Sequence, residues 1–164
     1  MAQPRDGSAA RPANKRGVAR LAAVQALYQM DIAGTPVDKI VNEFENVRFT
    51  EEIDGAQLRD ADPAFFRSII AGVIAEQKTI DPQIHLALTS NWPLTRVDSI
   101  LRAILRSGCF ELMKKKDVPA KVVISEYLDV ANAFFEGEVP AVVNGVLNRL
   151  ASELRPDEMA QSAS

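Results

Sequence analysis

One cysteine and one histidine in 164 residues set the first limits on what this sequence can do. Cys109 has no partner in the chain, so an internal disulfide is excluded, which fits a reducing compartment. With His85 as the single imidazole, there is no His/Cys ligand set for a transition metal. Cys109 as a nucleophile would need a base, and none lies near it in sequence; it is expected in a core helix, and His85 as a partly buried or surface residue on a helix. Gly-rich phosphate loops and the GxSxG turn are missing. No stretch of 18 apolar residues is present to span a membrane, and the opening MAQPRDGSAARPA lacks the apolar segment of a secretory signal. These absences predict a cytoplasmic protein with no catalytic residues, no metal and no cofactor.

What is present is a normal share of core-forming residues, 47% hydrophobic against 25% charged, enough for one well-buried core. The charge is segregated. The first twenty residues carry Arg5, Arg11, Lys15, Arg16 and Arg20 against Asp6 alone, a local +4 in a chain of net charge -3. An acidic body with a basic arm suits a protein that meets nucleic acid at one edge, and equally a solvated tail.

Apolar residues recur at three- and four-residue steps almost throughout, and no segment alternates with period two, so the expected fold is all-α with about seven helices. The first runs over 15–33 and stops at Gly34; the second starts at Thr35-Pro36. Residues 48–62 read as a loop. Asp62-Pro63 begins a third helix to about Lys78, and Pro82 a fourth that ends near Asn91. Thr95 caps a fifth, which runs into Lys114, Lys115 and Lys116. Pro119 opens a sixth, and a seventh spans 142–154 before Pro156 and a polar tail end the fold. Gly72 and Gly145 sit inside helices at a cost of roughly 1 kcal/mol each relative to Ala, which predicts close approach of a neighbouring helix at both.

The cationic edge is the one candidate site. Arg16 and Arg20 are spaced i, i+4 on one face of the first helix, with Lys15 beside them and Arg11 in the arm. Cations crowd a helix start against the macrodipole, but together with the free amides there they attract phosphate. The Lys114–Lys116 run could hold phosphate too, although complementing a helix carboxyl end accounts for it without a ligand.

Four stretches, RGVARLAAVQALYQMD (16–31), SILRAILRSGCFELM (99–113), DVPAKVVISEYLDVANAF (117–134) and VVNGVLNRLASELRP (142–156), resemble the NusB family of transcription antitermination factors over about residues 14–156. The resemblance implies two small packed helical subdomains: a basic arm over 1–13, subdomains over 14–79 and 80–155, and a tail over 156–164. It also implies binding of boxA RNA as a heterodimer with the ribosomal protein NusE, and joining RNA polymerase to support rRNA transcription. By the same resemblance, Arg16 and Arg20 match the family's RNA-binding positions, extended by Lys15 and Arg11. Tyr28 matches a tyrosine near the RNA and partner surface, and Glu138 an acidic position beside the RNA. Leu101 departs from a common acidic position at the partner interface, with Asp98 as a substitute, and Gly17 and Val18 thin the basic cluster. Self-association of the free protein through Tyr28 or Phe135 is left open. Two other readings are kept: a helical interaction module that does not touch RNA, and the NusB-like part of an rRNA cytosine methyltransferase, whose cofactor domain does not follow within this sequence.

Overall fold

A computed structural model describes residues 12–46, 52–53, 56–57, 61–88 and 98–163. Seven helices lie within them: α1 (Pro12–Ala33), α2 (Val37–Asn46), α3 (Pro63–Ala87), α4 (Ser99–Lys114), α5 (Ala120–Phe134), α6 (Val139–Leu154) and α7 (Pro156–Ala163). Among the described residues the fold is all-α apart from a two-residue antiparallel ladder, β1 (Glu52–Ile53) with β2 (Ala56–Gln57), inside the segment expected as a loop.

Helix α4 is central, with α1, α3, α5 and α6 around it. Its residues from Ala103 to Leu112, except Arg106, are buried on every side, the pattern of a helix enclosed by neighbours. Gly72 on α3 and Gly108 on α4 permit this packing. A Cβ at Gly72 would collide with the Phe110 ring, and one at Gly108 would come within 2.8 Å of Leu147. Gly145 departs from expectation: it is exposed, and nothing lies within 4 Å of where its Cβ would be. Ion pairs fasten the bundle at its rim, Arg102 to Asp31 at 2.7 Å and Arg106 to Asp81 at 2.8 Å. Cys109 is buried in α4, and burial, assisted by Asp81, pushes its thiol up to about 12, which leaves it without thiolate at neutral pH.

Two prolines act differently from their expected roles. Pro82 does not start a helix; it sits inside α3, which runs unbroken through residue 79, where the subdomain boundary was expected. An internal proline costs about 3 kcal/mol. Ile80 and Ile84, fully buried on either side of it, anchor the helix to the core, while the proline itself faces solvent. Pro156 does not end the fold; it begins α7, with Asp157 and Glu158 in the first turn where negative charge is favoured. Met159 of α7 packs against the core.

The start of α4 also differs. Asp98, with its side chain accepting from the Ile100 amide at 2.8 Å, caps a helix that begins at Ser99; Thr95 lies outside the described residues. Asp98 thus has a local role while remaining exposed, and Leu101, where an acid was the common expectation, is 1% exposed and part of the core. Phe135, expected at the surface, is half-buried against the core.

Candidate nucleic-acid interface

The edge of the bundle where α1 begins is assembled from four elements. Asp62 caps α3: its side chain accepts from the Phe65 amide at 3.0 Å, and its own amide donates to the Lys15 carbonyl at 3.1 Å. This double use of Asp62 ties the first turn of α3 to α1 and sets the Phe65 ring beneath the arginines. The Arg16 guanidinium lies 4.6 Å from the ring centroid, that of Arg20 4.9 Å, and the Lys115 ammonium 5.5 Å. A cleft of about 470 Å³ opens here, walled by Lys15, Arg16 and Arg20 on one side and by Asp117, Val122 and Glu126 on the other.

The two arginines, one helical turn apart, have opposite fates. Arg16 is 42% exposed and holds Asp117 only loosely, at 3.8 Å. Arg20 is 2% exposed. Its Nε and Nη2 donate to the two carboxylate oxygens of Glu111 at 2.8 and 3.0 Å, and its Nη1 lies 3.3 Å from Glu126. Tyr127 completes the cluster, its hydroxyl donating to Glu111 at 2.5 Å. Burial works to lower the Arg20 guanidinium, but the Glu111 hydrogen bonds and the charges of Glu111, Tyr127 and Glu126 outweigh it and hold it above its usual value. Burial, then the Glu111 charge, drives the Tyr127 hydroxyl well above its ordinary range. Arg20 is therefore a buried cation joining α1, α4 and α5, 2% exposed at the wall of the cleft, where a surface position was expected.

Burial likewise raises the Glu126 carboxyl above 4.5, against the pull of Arg20. Stability from this group is present below 4.5 and is lost as pH rises through the raised folded value, because the folded state keeps a proton that the unfolded chain has released. Glu126→Gln, which cannot ionise, is expected to lose less stability than the parent between pH 4.5 and 7. Urea midpoints at the two pH values measure this; a variant that loses more would contradict the assignment.

The other expected site residues are dispersed. Lys15 is exposed at the cleft, and Arg11 lies outside the described residues. Tyr28, twelve residues beyond Arg16 and so roughly 18 Å along the helix, is half-buried in a separate groove with Val24, Ile32, Phe44, Ile100 and Phe134. Glu138 is exposed at the start of α6 and makes no capping bond. Sequence reasoning missed Phe65, Glu111 and Glu126. A lone acid within the apolar run CFELM was the one available sign of a buried cation partner.

Fold and site together define a small all-helical protein with a cluster of cations around Phe65 at the start of its first helix. A family model described as the NusB family matches residues 18–152, and the chain belongs to that family. It is 60% identical to the transcription antitermination protein NusB of Brucella anthropi, over 88% of this chain and 86% of that protein. With the protein of the same name from Mesorhizobium japonicum it shares 56%, over 94% and 99%. Among solved structures, T. maritima NusB superposes with a TM-score of 0.72 at 26% identity, covering 88% of this chain and 96% of that one. A crystal structure of the antitermination factors NusB and NusE in complex with dsRNA shares the fold at a TM-score of 0.70 and 21% identity, covering 85% and 97%.

Proposed function

We propose that this protein is an RNA-binding antitermination adaptor that acts by binding rather than catalysis, taking boxA-type RNA together with NusE within a transcribing RNA polymerase complex. The observation that carries the reading is Arg16. It is half-exposed beside the exposed Lys15 at the amino end of α1, stacked on Phe65 and held by a single loose carboxylate. A cation so placed is oriented by the ring yet free to exchange Asp117 for a phosphate. Relatives at 56 to 60% identity bear the antitermination name, and the acidic body complements a basic ribosomal partner. In this reading Lys15 and Arg16 contact phosphate and Arg20 positions them. Arg11 adds charge from the arm, and Tyr28 and Glu138 take part where the RNA or its partner extends beyond the cleft.

The test is binding of a boxA-like RNA and a scrambled one, with and without purified NusE, at several salt concentrations. Selective binding that tightens with NusE is expected. Arg16→Gln should weaken it and lower the salt slope by about 0.7, the share of one phosphate on a single strand. Binding indifferent to sequence and partner, with an unchanged slope in the variant, would favour the interaction module that does not use RNA.

A further inference from the structure

We infer that Lys115, at the carboxyl end of α4, is a further phosphate-contacting residue, so that a bound RNA strand passes from the start of α1 onto the α4–α5 connection. The inference rests on the RNA-binding reading above and extends it to a second element of the fold.

The first observation is the shared ring. The Lys115 ammonium stands 5.5 Å from the centroid of Phe65, the same ring that carries Arg16 at 4.6 Å and Arg20 at 4.9 Å. Three like charges around one aromatic side chain repel one another. Arg20 is compensated by Glu111 and Glu126, but among the described residues Arg16 pairs only with the exposed Asp117. Among the described residues Lys115 makes no ion pair. The positive charge of this edge that no buried carboxylate holds therefore lies on Arg16 and Lys115, both at the Phe65 ring, and on the exposed Lys15 at the cleft.

The second observation separates Lys115 from its neighbours. Lys114 pairs with Glu76 at 3.7 Å, and the Lys116 ammonium donates to the Leu154 carbonyl at 3.4 Å. Any of the three could complement the negative end of α4, but Lys115 alone is turned onto the ring beneath Arg16. Its main chain is also fixed. The Lys115 amide donates to the Glu111 carbonyl at 2.9 Å, and its carbonyl accepts from Arg155 Nη2 at 2.9 Å and from the Val118 amide at 3.0 Å. With the main chain already fixed, only side-chain freedom remains to be lost when an anion arrives, which favours binding.

The experiment compares Lys115→Gln with Lys114→Gln and Lys116→Gln, three variants of equal charge change, by anisotropy of a labelled boxA-like RNA across a salt series. Lys115→Gln is expected to weaken binding about threefold at low salt and to lower the slope by about 0.7, with an unchanged melting temperature. Lys115→Arg should restore both. Lys114→Gln and Lys116→Gln should leave the slope as in the parent. An unchanged slope in Lys115→Gln overturns the inference while the RNA reading stands, provided Arg16→Gln lowers it. Equal effects of all three lysines also overturn it, since only the general field would be at work. If neither Arg16→Gln nor Lys115→Gln alters the slope, the RNA reading itself fails and the inference falls with it.

Discussion

Replacing Arg20 with alanine is expected to destabilise the protein by about 3–5 kcal/mol, the usual cost of removing one partner from a buried ion pair. For a chain of this length that corresponds to a fall in melting temperature on the order of 10 °C. The size follows from what remains behind: Glu111, 0% exposed, would be left with the Tyr127 hydroxyl in place of its cation, and Glu126 would lose its counter-ion. Arg20→Met combined with Glu111→Met removes both charges and fills the space, and should recover at least half of the loss, because a well-packed apolar pair often matches a buried ion pair. Urea unfolding of the single and double variants measures both effects. A loss below about 1 kcal/mol in Arg20→Ala, the range of an exposed pair, would show that the guanidinium is not held as described.

Gly72→Ala should also be strongly unfavourable, against the rule for its helix. In an open helix, alanine is better than glycine by roughly 1 kcal/mol. At residue 72 the added methyl meets the Phe110 ring, itself buried in α4, so the helices must part or the ring must leave its rotamer, at a cost of about 1–3 kcal/mol. Gly145→Ala is the matched control: it is helical, exposed and unobstructed, and should stabilise by about 0.5–1 kcal/mol. Opposite signs at two helical glycines are therefore expected from thermal melts of the two variants. Gly72→Ala with Phe110→Leu should regain part of the loss. Stabilisation by Gly72→Ala alone would mean that α3 and α4 do not approach as closely as described.

These two cases mark where the sequence could be read and where it could not. Helical periodicity revealed α1, α2, α5 and α6 nearly to their ends, because each repeats apolar residues at three- and four-residue steps. Pro82 misled because the strength of its anchoring depends on how completely Ile80 and Ile84 are buried, a property of the assembled core. Gly72 and Gly145 are alike in sequence; only the partner helix distinguishes them. At the site, the basic start of α1 was visible as charge density, and Lys15 and Arg16 lie where that density pointed. Arg20 was not separable from Arg16 by spacing, since its carboxylate partner is 91 residues away. The resemblance to the NusB family named the same positions without showing which arginine faces inward.

Arg155 gives the molecule an order of construction. Its buried guanidinium donates to the carbonyls of Glu111, Leu112, Lys115 and Val118, and so adds donors to the end of α4 and the turn toward α5. Each of those groups leaves the ribosome well before Arg155 does. During synthesis, which delivers the amino-terminal side first, the ledge that carries Lys115 is without these four bonds until the guanidinium arrives. The edge proposed to meet RNA, begun by α1, is thus completed by a residue that follows α6.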